Sequence, residues 1–407
     1  MKPGCSKLSH KSVSLTLCLS AFLILFSTTQ ISAQTPVPGI GSGFEIDGNL
    51  FSQGKDDWVM GASGNGVLDS AGNPIDAVAT IHVIDLTGNA DLDVFAQSDK
   101  VFHDPNTYNW KAGSVPQKDD INNGLFHVRT DSVTGDLWVT MSGDRRAVNG
   151  DSYIDFELLQ SALFMNSDGT FTSLGPDGGR TLGDLLLTIE FIRGGGQPQF
   201  FVQSWQVDPS TSSGFNYIDI SPPPGLAFIS ANLDSTVTVP YEAFGDTTYQ
   251  INAFAEAAIN ISAAVPNFDT CFGATTLFIR TKSSQSSSAQ LKDLIAPIQL
   301  RVCLDNAPPV LVGCPADTTL ECTDSIPPPA NVTAIDACDT LPIVTFTQDS
   351  IPNGCPVSYT LIRKWFAEDE CGNIDSCMQT IVIEDNTPPV LSCPANVNVQ
   401  CASSSDT

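Results

Sequence analysis

One segment of this 407-residue chain occurs twice. Residues 305–322 read DNAPPVLVGCPADTTLEC and residues 385–401 read DNTPPVLSCPANVNVQC, so the copies begin 80 residues apart. Self-similarity at this spacing marks one complete module followed by the start of another, and it constrains the fold more than any local pattern does. The second copy ends at Thr407, soon after its cysteine pair, which favours a front fragment of a longer array.

The complete unit closes with WFAEDECGNIDSCMQTIVIEDNTPP at residues 365–389. Together with the D-N-x-P-P-V-L…C-P-A opening, this closing hairpin resembles the HYR (hyalin-repeat) module, in the cysteine-rich form found in tandem in large surface proteins of Bacteroidetes-type bacteria. The resemblance implies an immunoglobulin-like β-sandwich over residues 305–385 and a second, truncated repeat over residues 386–407. It also implies a secreted or cell-surface protein.

The first 33 residues have the pattern of a signal peptide. Three lysines precede an apolar run from Leu15 to Phe26, and small residues at 32–33 offer a cleavage site. The apolar run is too short for a comfortable membrane span. We therefore expect residues 1–33 to be removed and the rest of the chain to be exported.

The charge balance is strongly acidic, with 45 acidic and 18 basic residues and a net charge of −27. Without the signal peptide the chain has 15 basic residues, and the net charge becomes −30. Such a surface repels nucleic acid and anionic lipid, which leaves an extracellular glycan or protein surface as the expected partner. The acidity serves either solubility or the binding of calcium through oxygen ligands.

Residues 40–304 carry an all-β signature. In residues 152–160 (SYIDFELLQ) and 184–192 (DLLLTIEFI), apolar residues alternate with other residues, as half-buried strands require. Turn signals such as Asn149-Gly150 and Gly194-Gly195-Gly196 separate these segments. We predict one large β-sandwich or jelly roll. Segments such as FEIDGNL (44–50) and TKSSQSSSAQLKDLIAP (281–297) are similar to a module at the front of large exported bacterial repeat proteins, which implies no particular activity.

One segment of this region departs from the strand pattern. Residues 286–297 begin with serine cap candidates, space Leu291, Leu294 and Ile295 at helical intervals and end at Pro297, which predicts a short helix. Cys271 and Cys303 flank it, and a disulfide between them would close a loop of about 30 residues.

The ten cysteines that remain after signal removal all lie at or after Cys271. In an exported chain we expect them to form disulfides, and their spacing without nearby histidines argues against zinc. The HYR resemblance implies the pair Cys314–Cys377. For the others, immunoglobulin-like topology brings Cys338 and Cys371 to one end of the module, and Cys322 and Cys355 pair by elimination. A bond between Cys371 and Cys377 across the last hairpin is the alternative.

Acidic residues crowd a loop-rich stretch of the N-terminal region. Asp91, Asp93, Asp119 and Asp120 are the calcium candidates, because calcium requires six to eight oxygen ligands. The alternative is a solvated acidic rim in which these side chains support turns.

Two other patterns have a functional and a structural interpretation. Asp155 and Glu157 lie two residues apart on one strand face, as in some glycosidases, although an ordinary polar strand face accounts for them better. Four tryptophans fit either a sugar-stacking platform or, as we expect, the core. These are Trp58, Trp110, Trp138 and Trp205.

The favoured hypothesis is a non-enzymatic exported protein that displays an N-terminal β-sandwich on a stalk of HYR-like modules, for adhesion or surface structure, with no cofactor other than possible calcium. The alternative is a carbohydrate-binding or carbohydrate-hydrolysing β-sandwich on the same stalk.

Overall fold

The computed structural model describes residues 43–61, 65–211, 213–265, 273–300, 305, 307–353 and 358–397. Strands make up nearly all of its regular structure, so the predicted all-β fold class is confirmed. The predicted signal peptide lies outside the described residues. Four cysteines of the predicted repeats and disulfides also lie outside the described residues. These are Cys271, Cys303, Cys355 and Cys401.

The strands of the N-terminal region are short to medium in length and are joined mostly by turns. They are β1 Asp57–Val59, β2 Gly66–Leu68, β3 Thr80–Ile84, β4 Val94–Phe95, β5 Trp110–Lys111, β6 Asn123–Thr130, β7 Leu137–Asp144, β8 Ser152–Leu159, β9 Leu163–Met165, β10 Phe171–Ser173, β11 Leu185–Ile192, β12 Gly196–Val207, β13 Phe215–Ile220, β14 Ala227–Ala231, β15 Val237–Ala243, β16 Asp246–Tyr249, β17 Phe254–Asn260, β18 Thr276–Lys282, β19 Leu291–Leu294 and β20 Ile298–Gln299. One helical turn, α1 Ile261–Ala264, follows β17, and 3₁₀ turns lie at Gly88–Ala90 and Pro105–Thr107.

Two large antiparallel sheets form the N-terminal sandwich. The five-stranded sheet has the order β14-β17-β7-β6-β3, and the nine-stranded sheet has the order β13-β12-β11-β8-β18-β19-β4-β5 with β20 beside β18. Their facing sides enclose the main apolar core, which includes Met141, Phe156 and Ile189. The sheets approach closely at Gly143, where an added Cβ would lie 2.8 Å from the Cδ1 atom of Ile154. A larger side chain at Gly143 would therefore push the sheets apart.

The outer faces of both sheets are also covered by apolar clusters. The cluster that includes strands of the five-stranded sheet contains Trp58, Leu125, Val239 and Phe254. The cluster that includes strands of the nine-stranded sheet contains Tyr108, Phe171, Trp205 and Phe278. Both sheets are therefore buried on two sides, which requires any polar side chain on those faces to find partners inside the protein.

This double burial changes the interpretation of β8 and β11. Alternation in these strands predicts one buried and one exposed face, yet all eight residues of β8 are buried. Leu187, Ile189 and their neighbours do line the core-facing side, as predicted. The prediction that the strands are half-buried is wrong, because the outer cluster includes residues distant in sequence that no local pattern reveals.

The predicted helix over residues 286–297 is also wrong. Residues 291–294 form β19, which pairs with β18 through Arg280 opposite Leu294 and Lys282 opposite Leu291. A tight turn precedes it, in which the N–H of Ala289 donates to the carbonyl of Ser286 at 2.8 Å. Spacing alone fits a helix, but the backbone of β18 offers hydrogen-bond partners that make an extended conformation the better solution.

The repeat forms a smaller set of sheets, in agreement with the all-β fold class. Its immunoglobulin-like character stays a prediction. Its strands are β21 Val310–Val312, β22 Thr318–Glu321, β23 Thr333–Ile335, β24 Ile343–Pro352, β25 Tyr359–Glu368 and β26 Ile374–Glu384. One sheet has the order β22-β26-β25-β24, and β21 pairs with β23. Its buried cluster is small and consists of Leu361, Ile381 and Ile383, with Leu320 and Tyr359 packed against it. The boundaries at residues 40–304 and 305–385 stay predictions.

The turn between β25 and β26 is built by Asp369, Gly372 and Asn373. The backbone N–H of Asn373 donates to Oδ1 of Asp369 at 2.8 Å, and Gly372 adopts a φ of 79°, which favours glycine. Asp369 therefore holds the closing hairpin through its side chain, as expected of an Asp in a turn.

Candidate functional site

The acidic residues of the N-terminal sandwich separate into a buried cluster and isolated positions. Asp85 follows β3, Asp91 follows the 3₁₀ turn Gly88–Ala90, and Asp293 lies on β19. One carboxylate oxygen from each of these three residues lies within 4.8 Å of the other two. Of the predicted calcium residues, the structure places Asp91 in this triad. It adds Asp85 and Asp293, which sequence reasoning missed.

In each carboxylate of this acidic cluster, one of the two oxygens accepts a hydrogen bond from the backbone. Oδ1 of Asp85, Oδ1 of Asp91 and Oδ2 of Asp293 each accept a backbone hydrogen bond, while the other oxygen of each residue is buried and has no donor among the described residues. The donors are the N–H groups of Leu86 at 2.8 Å, Asp93 at 3.0 Å and Ile121 at 3.0 Å. The backbone therefore orients three carboxylates and leaves one oxygen of each available.

Two more of the predicted calcium residues border the acidic cluster. Asp120 is fully buried, and its Oδ2 pairs with Nη1 of Arg146 at 3.3 Å while its Oδ1 has no partner. Asp93 donates its N–H to Asp91, and its charge acts on Asp85. The predicted set is thus partly assembled around the triad.

The fourth predicted residue, Asp119, is engaged elsewhere. Its Oδ1 pairs with Nζ of Lys118 at 3.0 Å, and its carbonyl accepts from Oγ1 of Thr281 at 2.8 Å. Asp119 is adjacent to Asp120 in sequence but is not part of the triad. It ends a turn in which its N–H donates to the carbonyl of Pro116 at 2.7 Å.

Burial and like charge act together on the acidic cluster. Burial raises the pKa of Asp85, and the charges of Asp93 and Asp91 raise it further, to about 8. Burial is also the main reason why the pKa values of Asp91, Asp120 and Asp293 lie above the ordinary range. The carboxyls of Asp91 and Asp293 are close enough to share a proton. In the absence of a cation, this cluster therefore resists full ionisation.

The paired carboxylates of β8 have the opposite surroundings. Asp155 and Glu157 are both fully buried on the outer side of the nine-stranded sheet, where three basic side chains neutralise them. Glu157 accepts from Nε of Arg180 at 2.7 Å and from the hydroxyl of Tyr217 at 2.5 Å, and it also pairs with Arg280.

Asp155 completes this basic and acidic network. Its Oδ1 accepts from Nζ of Lys282 at 2.7 Å and from Oγ1 of Thr188 at 2.6 Å. Nε of Arg280 lies 3.7 Å from its Oδ2. Neither carboxylate reaches solvent, so the polar, solvent-facing strand face expected for Asp155 and Glu157 is wrong, and the pair is part of a buried ionic network.

The pKa of Glu157 reports this compensation. Burial alone would raise it, but the charges of Arg180 and Arg280 outweigh burial and lower it to about 2. A glycosidase acid needs a carboxyl that stays protonated near neutral pH. Glu157 is instead held ionised.

A polar groove lies on the other end of the nine-stranded sheet, at the edge strand β13. It encloses about 530 Å³ and is lined by Gln203, Tyr217, Ile218, Asp219, Gln285, Ser286 and Ser287. Nε2 of Gln203 donates to Oδ1 of Asp219 at 2.7 Å. Both amide atoms of Gln285 are buried and have no hydrogen-bond partner among the described residues.

The tryptophans are mainly core residues, as expected. Trp58 and Trp205 are fully buried, Trp138 is nearly so, and Trp110 is half-buried. Trp58, Trp138 and Trp205 therefore present no open ring face of the kind that a sugar-stacking platform requires.

The cysteines of the repeat follow the predicted framework in part. A disulfide joins Cys314 to Cys377, as the HYR resemblance implies, so the alternative Cys371–Cys377 bond is excluded. Cys338 and Cys371 are disulfide-bonded as well. Cys322 is a free, exposed thiol, so the predicted Cys322–Cys355 bond is not formed in this structure. The predicted Cys271–Cys303 bond lies outside the described residues.

The backbone places the segments of Cys338 and Cys371 together, because the N–H of Glu370 donates to Oδ2 of Asp339 at 3.0 Å. The pairing of these two cysteines with each other stays a prediction.

Comparison with known proteins adds no assignment. No family model matches the chain, and no curated protein is similar to it. The HYR resemblance therefore stays a prediction. Among the described residues, no helix has the length and apolar character needed to cross a membrane.

Proposed function

We propose that this chain is a non-enzymatic exported protein, which displays its N-terminal β-sandwich on a stalk of cross-linked HYR-like modules and serves adhesion or surface structure. The observation that carries the proposal is the disulfide between Cys314 and Cys377. It links the opening segment of a repeat to its last strand, and the opening motif begins again at Asp385.

The size of the repeat supports this function. A module of about 80 residues buries little apolar surface, and here the buried cluster has three members. In oxidising compartments, small domains with little buried apolar surface are usually stabilised by disulfides. They make a row of small modules resistant to unfolding and to proteases, which is what a surface stalk needs.

The surroundings of Asp155 and Glu157 support the non-enzymatic part of the proposal. This is the carboxylate pair that the sequence offers for glycoside hydrolysis, and it is buried and paired with basic groups. A substrate would have to displace the outer apolar cluster to reach it.

The test is protease digestion of intact cells that express the full chain, followed by mass mapping of the released peptides. We expect surface-exposed chain with Cys314 and Cys377 linked. The double variant Cys314→Ser/Cys377→Ser should be degraded within the repeat. The matched control is Cys322→Ser, which removes a free thiol and should leave resistance unchanged. Chain that is protected inside the cells, or thiols that are reduced, would contradict the proposal.

Carbohydrate binding is the second candidate, and the polar groove at β13 favours it. Its unpartnered Gln285 amide, together with Gln203 and Asp219, presents donors and acceptors of the kind that bind sugar hydroxyls. A glycan array with wild type and Gln285→Ala tests it. Binding that is lost in the variant, without hydrolysis of the bound glycan, would make the sandwich a lectin-like module.

A further inference from the structure

The acidic cluster of Asp85, Asp91 and Asp293 has the geometry of a metal site. Calcium lies about 2.4 Å from its oxygen ligands, so two ligands of one ion lie at most about 4.8 Å apart. The three carboxylate oxygens satisfy this limit in every pair. We propose that these residues bind one calcium ion, with Asp120 at the edge of the same site.

A cluster of acids alone would not support this proposal, but the hydrogen-bonding pattern does. In each of the three residues, the backbone satisfies one oxygen and leaves the other buried without a donor. Asp120 adds an independent observation, because it lies outside the triad, is fully buried and also has an oxygen without a donor. Buried carboxylate oxygens without donors are costly unless a cation occupies the space between them.

Charge compensation is missing from this site in the described part of the protein. The triad, Asp93 and Asp120 bring five carboxylates together, and the ion pair that reaches them is that of Arg146 with Asp120. On β8 of the same sheet, by contrast, the buried carboxylates of Asp155 and Glu157 are each paired with arginine or lysine. A divalent cation would supply the charge that the protein does not.

The ligand chemistry selects a hard cation. The cluster of Asp85, Asp91 and Asp293 consists of carboxylates, without histidine or cysteine, which argues against a site built for zinc or copper. Magnesium requires a tighter octahedron at about 2.1 Å, whereas calcium accepts six to eight ligands in irregular geometry and includes water. Three protein carboxylates in one site suit calcium better, because magnesium keeps several of its waters and is usually bound through one or two carboxylates.

The position of the site gives the ion a structural role. Asp85 directly follows β3, the edge strand of the five-stranded sheet, and Asp293 lies on β19 of the nine-stranded sheet. Asp91 lies in the connection between β3 and β4. One calcium ion would therefore join the two sheets of the sandwich at one end.

A second acidic group does not support a site. Asp305, Asp336 and Cys338 also lie within 4.8 Å of one another, but Cys338 is disulfide-bonded and these residues are half-buried. Its existence makes site-specific variants necessary in the test.

The test measures thermal unfolding of the full chain in EDTA, in calcium chloride and in magnesium chloride, together with calorimetric titration. Saturating calcium should raise the Tm of the N-terminal sandwich by roughly 5–10 °C, and magnesium should have a much smaller effect. Asp293→Asn and Asp91→Asn should abolish both the shift and the titration signal of this site. Asp119→Asn is the matched control, since it removes a nearby buried carboxylate that pairs with Lys118, and it should keep both.

Asp85→Asn covers the possibility that a buried variant fails to fold, because Asp85 lies at the edge of the cluster. It should lower calcium affinity at least tenfold. The proposal is overturned if calcium gives no shift in wild type, if the shift survives in the cluster variants, or if Asp119→Asn removes it. A larger response to magnesium than to calcium would overturn the choice of ion.

Discussion

The nine-stranded sheet holds two groups of buried carboxylates with opposite surroundings. Glu157 and Asp155 are enclosed by Arg180, Arg280 and Lys282, whereas Asp293 faces other carboxylates. Burial is equal, since Glu157 and Asp293 are both 0% exposed. The difference shows that burial of an acid does not identify its role. What decides it is whether the protein itself supplies the opposite charge.

The same comparison distinguishes buried acids that stabilise the fold from buried acids that could bind a ligand. A compensated group belongs to the fold and has a lowered pKa, as Glu157 does. An uncompensated group has a raised pKa and one oxygen without a donor among the described residues, as Asp293 does, and a cation is the partner that we propose for it. The predictions below disturb one side of this comparison at a time.

Replacement of the compensated acid should have the largest effect. Glu157→Gln leaves Arg180 buried without its counter-charge and leaves Arg280 with the carboxylate of Asp155, 3.7 Å from its Nε. We expect a loss of about 3–5 kcal/mol in the free energy of unfolding. Urea unfolding measures it. Glu190→Gln is the control, because Glu190 is buried on the adjacent β11 but forms no ion pair among the described residues, and it should cost much less. Equal losses would mean that the ion pairs do not determine the stability.

Lowering the pH should remove the difference in the free energy of unfolding between wild type and Glu157→Gln. The folded-state pKa is lowered to about 2 from an ordinary 4.5, so its contribution is fully present above about pH 4.5 and is lost as the pH falls through 2. The difference between wild type and Glu157→Gln should therefore be constant from pH 7 to about 5, then shrink by roughly 3 kcal/mol toward pH 2. A difference that already declines at pH 6 would contradict the assignment.

His127 tests the same rule for a basic group. Burial, and next the charge of Arg129, lower its pKa to about 4, and its Nε2 is buried without a partner. A lowered histidine pKa means that stability is complete above pH 6.5 and falls as the pH drops toward 4. Wild type should lose roughly 3 kcal/mol over that range, and His127→Gln should lose less. Identical pH profiles in urea unfolding would exclude His127 as the cause.

A basic side chain introduced into the acidic cluster should compensate the negative charge of its carboxylates. Asp85→Lys places an ammonium group beside Asp91 and Asp293, at the least buried position of the three. Without calcium we expect a gain of about 1 kcal/mol in the free energy of unfolding, together with loss of the calcium response. Asp119→Lys, outside the cluster, should not stabilise the protein. If Asp85→Lys is destabilised and still responds to calcium, missing charge compensation does not explain the properties of the acidic cluster.

Sequence reasoning succeeded where the determining pattern is local. The alternation over residues 185–191 predicted the core-facing side of β11, and the HYR resemblance implied the Cys314–Cys377 disulfide. The late cysteines also indicated where the covalent cross-links would lie. These features depend on neighbours in the chain or on similarity between its segments.

Sequence reasoning failed where partners are distant in the chain. Asp85 and Asp293 are separated by 208 residues, and the helical spacing around Leu291 concealed the strand that carries Asp293. Asp155 and Glu157 resembled a solvent-facing pair because Arg180 and Arg280 come from other segments. Crowding of Asp residues near 91 and 119 was a correct signal for the region, but sheet pairing decided which of them meet.

The Cys314–Cys377 bond has a mechanical consequence for any force applied along this chain. The bond spans a sequence separation of 63 residues. Fully extended, that segment would add roughly 210 Å of length. With the sulfurs joined, a stretched molecule cannot release this slack even after its hydrogen bonds break. A reducing agent would therefore make the protein not merely weaker under load but far longer.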